Sequence, residues 1–133
     1  MEPEIWGPSG WTFLHTITLN YPDNPTEEEK MNHKDFFNNI KNVIPCPKCR
    51  EHYKENLQKY PLDDVLESKE KLVKWLIDIH NEVNKSNNKK IYSYDEVIQK
   101  YDKMYKGSNN INTILIILVI LLIVYFLFKE YSS

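Results

Sequence analysis

The residues most able to do chemistry lie together in Pro45-Cys46-Pro47-Lys48-Cys49-Arg50-Glu51-His52-Tyr53, which holds both cysteines of the chain. A C-x-x-C pair can close a small disulfide, and its first sulfur becomes unusually reactive at a helix N-terminus, where unpaired N–H groups and nearby cations stabilise thiolate. Pro45 disfavours helix before Cys46, Pro47 suits a first helical position, Lys48 and Arg50 add positive charge, and the residues from Glu51 to Leu57 can propagate the helix. Cys46 is therefore expected at an exposed N-cap and Cys49 one turn later, facing inward. Other readings of the pair stay open. A purely structural disulfide restrains little of the unfolded chain across so short a loop. A zinc site could use Cys46, Cys49, His52 and the remote His80, although no second paired ligand spacing accompanies them. Haem attachment fails, because Arg50 stands where that motif requires histidine.

Two further patterns carry directional groups. Trp11 and His15 are i, i+4 partners, so an aromatic plane and an imidazole share one helix face, a geometry suited to a flat heterocycle and equally to a core tryptophan beside a satisfied histidine. Downstream, His80, Asn81, Asn84 and Lys85 form a polar strip beside an apolar stripe of Leu72, Trp75, Leu76, Ile79 and Val83. That strip is either a supply of hydrogen-bonding groups or a set of exposed polar residues around a satisfied histidine.

These residues need helices to position them. Gly7 at the N-cap and Pro8 at the first position open a helix that runs through Leu19. After the break at Tyr21-Pro22-Asp23-Asn24-Pro25, Thr26 and Glu29 make a capping box for a second helix to about Val43, with Met31, Phe36, Phe37, Ile40 and Val43 or Ile44 as its core face. The cysteine helix ends near Tyr60-Pro61. Ser68 caps a fourth helix, and Ser93 with Glu96 caps a fifth that ends around Tyr105. No strand alternation and no repeat is present, so the class is all-α: a four-helix bundle plus a short fifth helix, followed by a C-terminal transmembrane helix.

With 133 residues there is room for one domain, 1–105, and an appendage. Residues 106–110 read as a hinge, 111–128 as an uncharged run of roughly 27 Å of helix, close to the hydrocarbon thickness of a bilayer, and 129–133 as a short tail. The expectation is a single-pass membrane anchor with the catalytic domain facing the cytosol, since Lys100, Lys103 and Lys106 precede the run and Lys129 alone follows it. The acidic start, Met1-Glu2-Pro3-Glu4, lacks the features of a secretory or mitochondrial presequence. A net charge of -2 gives no nucleic-acid signature.

Four motifs in order, W-G-P-x-x-W-x-x-L-H at 6–15, Y-P at 21–22, C-P-x-C-x-x-H-Y at 46–53 and W-L-x-x-x-H-N-x-V-N-K at 75–85, make the chain resemble the Erv/ALR family of FAD-linked sulfhydryl oxidases. The resemblance implies a helical domain that clasps FAD between helices, in keeping with three glycines and no G-x-G-x-x-G. It implies that Cys49 lies nearer the flavin and that Cys46 exchanges with a client. It implies cofactor contacts at Trp11, His15, Cys49, His52, His80, Asn81, Asn84 and Lys85, with Gly7, Ser9, Tyr21 and Lys89 added, and no metal. The partners it implies are client or relay dithiol proteins, O2 as acceptor and a second copy of the chain in a homodimer. The family's frequent clamp between the fourth and fifth helices has Ile77 and Tyr94 at its matching positions here. Minimal single-pair members are similar to this chain in large cytoplasmic DNA viruses, so a viral source and a virion or host membrane are expected.

Overall fold

The computed structural model describes the backbone of residues 1–131 and the side chains of all of these but 108–112, 126 and 130. Five α-helices follow one another: α1 (Pro3–Leu19), α2 (Glu27–Val43), α3 (Pro47–Lys59), α4 (Lys69–Ser86) and α5 (Tyr94–Tyr131), with a 3-10 turn at Asp63–Val65 between α3 and α4. No strand is present among the described residues. One compact unit comprises Met1–Tyr92, and a second begins at Ser93.

Local chemistry sets most of the starts. The Thr26 hydroxyl accepts from the Glu29 N–H, and the Glu29 carboxylate accepts from both the N–H and the hydroxyl of Thr26 at 2.8 and 2.9 Å. Ser93 and Glu96 repeat the reciprocal pair at α5, and Ser68 caps α4, each satisfying N–H groups that a first turn leaves orphaned. The start of α1 departs from expectation. Glu2 is the N-cap and Pro3 takes the first turn, so Gly7 is helical and Pro8 lies inside the helix. Two prolines compete for the one place where a missing N–H costs nothing, and the earlier one holds it.

In the first unit α1 packs on α4, α2 on α3, and α3 on α4. Their shared core contains Tyr21, Phe37, Tyr53, Leu62, Leu66, Leu72, Trp75, Leu76 and Ile79. Phe37 meets Trp75 edge to face at 5.1 Å, a favoured arrangement of aromatic quadrupoles. Each buried aromatic with a polar tip reaches a main-chain carbonyl: the Tyr21 hydroxyl donates to Leu66 at 2.8 Å, the Tyr53 hydroxyl to Phe37 at 3.0 Å, and the Trp75 indole to Tyr60 at 2.9 Å. Burial pushes the Tyr53 phenol well above its ordinary range, so it stays a donor. Of the core face expected on α2, Phe37 is buried and Phe36, Ile40 and Ile44 pack at its margin, but Met31 and Val43 are exposed. The helix turns them away from the elements that cover Phe37.

Two expectations for the C-terminal region change. The helix begun at Tyr94 continues through 106–110 without a break. Among the described residues, no helix is long and apolar enough to cross a membrane, which corrects the transmembrane helix expected over 111–128 and the membrane partner that went with it. The side chains of Ile111, Asn112 and Phe126 of the expected span and of Glu130 of the expected tail, together with residues 132–133, lie outside what is described.

Two outcomes follow. Tyr21→Phe strands the buried Leu66 carbonyl and should lower stability by about 1–3 kcal/mol, measured by urea unfolding. The Thr26 cap holds the Glu29 carboxyl below the ordinary carboxylate range, so this group adds stability above its unfolded pKa, and that contribution disappears as pH falls through the depressed folded value. Unfolding midpoints of Glu29→Gln should therefore decline less steeply on acidification than those of the parent chain.

Candidate functional site

The C-x-x-C pair is closed: Cys46 and Cys49 form a disulfide with Cα atoms 5.2 Å apart. Its placement comes from the sequence around it. Cys46 is the N-cap of α3, extended at φ -149°, ψ 110°, and Pro47 occupies the first turn. The Cys49 N–H donates to Cys46 Sγ at 3.2 Å, so the capping group of this helix is a sulfur rather than the usual oxygen. A thiolate formed at Cys46 would therefore meet an N–H and the positive end of the helix dipole. Both cysteines are half-buried, as is His52 one turn on. The zinc alternative loses its two sulfur ligands to the disulfide, and no metal-binding cluster of His, Cys, Asp or Glu occurs among the described residues.

The second assembly is built by α1 against α4. Trp11 and His80 stack face to face, with centroids 3.9 Å apart and planes at 5°. His15, which is 2% exposed, joins through its Nε2, 3.0 Å from His80 Nδ1. One of these nitrogens must carry the proton and the other the lone pair. On α4, Val73 and Ile77 are buried beside the core stripe, and the same helical register continues to His80 and Asn84 at steps of three and four residues. The helix thus has a second buried face, apolar at its start and polar at its end, with Asn84 7% exposed. The aromatic faces of Trp11 and His80 lie against each other. A heterocycle inserted between them would need roughly twice the 3.5 Å contact distance, so a flat group fits at the edge of the stack, not inside it.

The remaining expected residues sort by what their polar groups already do. Asn81 is engaged twice with one backbone unit: its Nδ2 donates to the Tyr92 carbonyl at 2.8 Å, and its Oδ1 accepts from the Tyr92 N–H at 3.0 Å. It pins the segment after α4. Tyr21 is fully buried, with its hydroxyl on Leu66 and its ring against His33 at 4.5 Å, and so belongs to the core. Ser9 lies in a shallow groove with Pro8, Thr12 and Phe13, while a side chain at Gly7 would meet open space. Lys85 and Lys89 are exposed. The turn that carries Lys89 is set by Asn88 at φ 54°, a left-handed position that asparagine tolerates, and by the Lys89 N–H on the Asn84 carbonyl at 2.8 Å.

Two participants were not legible as such. Tyr92 enters through its backbone, which no side-chain pattern advertises. Trp6 places its indole N–H in a buried position with no acceptor among the described residues, its ring lying 3.4 Å from where a Cβ on Gly10 would stand. The small residue one turn after Trp6 is the available signal.

The Erv1 / Alr family model matches residues 8–103. The chain is 54% identical over 104 residues to a protein of Acanthamoeba polyphaga mimivirus named "Probable FAD-linked sulfhydryl oxidase R368", covering 77% of this chain and 73% of that one. It is 34% identical over 101 residues to an FAD-linked sulfhydryl oxidase of Arabidopsis thaliana, covering 76% of this chain and about half, 52%, of the plant protein. Among solved structures, the FAD binding domain of Erv1 from Saccharomyces cerevisiae superposes with a TM-score of 0.66 at 32% identity, over 70% of this chain and 87% of that domain.

If the Asn81 amide is what holds Tyr92, Asn81→Ala should strip hydrogen-exchange protection from the Tyr92 amide and cost about 1 kcal/mol of stability. Unchanged protection at that amide would show that other contacts hold the segment.

Proposed function

Because this chain belongs to the Erv1/Alr family, we propose that it is an FAD-linked sulfhydryl oxidase, an enzyme that makes disulfides in thiol substrates. The observation that carries the reading is the closed Cys46–Cys49 disulfide at the start of α3, with a backbone N–H on the first sulfur.

The chain's own groups fit the cofactor. An indole N–H buried without an acceptor among the described residues at Trp6, paired aromatic planes at Trp11 and His80 and a buried amide at Asn84 suit a flat, hydrogen-bonding heterocycle. We assign the holding of FAD to Trp11, His15, His80 and Asn84, with Cys49 and His52 toward its reacting end and Lys85 and Lys89 toward its phosphates. Asn81 and Tyr21 act as supports, through Tyr92 and Leu66. FAD, when bound, supplies a two-electron acceptor that O2 reoxidises with release of hydrogen peroxide.

The protein's part is thiol–disulfide exchange. A client thiolate bonds to Cys46 Sγ, the Cys46–Cys49 bond breaks, and Cys49 leaves as thiolate. A second client thiolate then attacks the client sulfur of the mixed disulfide, and Cys46 leaves as thiolate. The client has lost two electrons and two protons, and the cysteine pair holds the electrons. The Cys49 N–H favours the Cys46 thiolate as leaving group in that second exchange. We assign Cys49 to passing the electron pair onward, since Cys46 is the capping residue at the helix entrance. Both cysteines of the chain serve this pair, so no structural disulfide is called for, which suits a catalytic domain working in the cytosol. We also assign a homodimer through α1, supported by the solvent-facing Ile5 and Phe13 at 78% and 60% exposure.

Cys49→Ser should retain bound flavin, visible in its absorption, and lose turnover of dithiothreitol by more than about a hundredfold. Sustained turnover in that variant sinks the assigned roles. Phe13→Glu should elute from a sizing column as a smaller species than the parent chain; equal elution argues against pairing through α1.

A further inference from the structure

We propose that the mouth of the disulfide selects clients whose cysteines are flanked by acidic residues, through an uncompensated positive rim of Lys41, Lys48 and Arg50. This rests on the oxidase reading and adds a substrate class to it. Lys48 and Arg50 follow Cys46 by two and four positions on α3, with the Arg50 N–H on the Cys46 carbonyl at 3.0 Å. Lys41 stands in the last turn of α2, joined to Cys46 by a tight turn in which the Cys46 N–H meets the Ile44 carbonyl at 2.8 Å.

Two observations bear on this rim: its cations are unpaired, and the helix start beside the disulfide carries no acid. Elsewhere in the first unit lysines divide: Lys30 pairs with Glu27 and Glu67, Lys34 with Asp63, Lys54 with Glu51, Lys59 with Glu82 and Lys69 with Asp23, while Lys71, Lys74, Lys85 and Lys89 have no ion pair among the described residues. Lys41, Lys48 and Arg50 have no ion pair among the described residues, and the nearby Glu51 is already held by Lys54. The helix start is also unusual. The first turns of α1, α2, α4 and α5 each carry an acid, and that of α3 carries none. An acid there would favour the helix dipole, so its omission leaves the positive end of α3, beside Cys46, without a neutralising carboxylate in its first turn on a chain whose net charge is -2. Such a local field raises the encounter rate of oppositely charged partners and disfavours like-charged ones.

The test uses the full flavin-loaded chain and two synthetic dithiol peptides with the same C-x-x-C centre, one flanked by glutamates and one by lysines, with dithiothreitol as uncharged reference. At low salt the acidic peptide should show kcat/KM about tenfold above the basic one, and the gap should close near 1 M salt, where screening acts over about 3 Å. The double variant K48E/R50E should invert the order and K48Q/R50Q should abolish it, each peptide rate being taken relative to dithiothreitol on the same protein. Equal peptide rates alongside normal dithiothreitol oxidation overturn the client preference and leave the oxidase reading standing. Failure to oxidise dithiothreitol overturns both.

Discussion

The imidazole and indole part of the candidate site depends on α4 having two buried faces, and on the second of them meeting α1. A core helix in a bundle this small needs only the stripe of Leu72, Trp75, Leu76 and Ile79, which packs against Phe37 and Tyr21. The further burial of Val73, Ile77 and Asn84, and the seating of His80 against Trp11 and His15, places polar atoms where an unmade hydrogen bond costs about 1–3 kcal/mol. The His15–His80 bond requires one of the two facing nitrogens to donate and the other to accept. A substitution that leaves either ring alone in this contact loses the bond and part of the packing together.

The disulfide answers to a different constraint. Its position is local, written in the order Pro-Cys-Pro-x-Cys, because a helix needs an N-cap acceptor and a proline tolerates the first turn. Using sulfur as that acceptor ties the helix start to the redox state of the pair. The α3 helix contacts both α2 and α4, so a residue with purely local reasons for its place is held by elements that also carry the imidazole and amide groups.

What could be read from the sequence divides along the same line. The starts of α2, α3, α4 and α5 were legible because a cap is a contact between residues three apart. The C-x-x-C pairing and the Trp11–His15 face, across three and four residues, were legible because they too are local. The start of α1 was not, since Pro3 and Pro8 both satisfy the local rule. Met31 and Val43 looked like core because type and spacing do not say which flank of a helix is covered. Asn81, expected as a ligand contact, clamps Tyr92, a partner eleven residues away that only the folded turn brings near. The apolar run near the C-terminus read as a membrane span, a reading that the described helix does not support.

The most direct measurement is oxygen uptake by the purified, full-length chain with dithiothreitol as the only reductant, its visible absorption recorded in the same sample. The account predicts a flavin spectrum, oxygen consumption, and one hydrogen peroxide formed per disulfide made. A colourless protein that consumes no oxygen while its cysteine pair is simply reduced would contradict it.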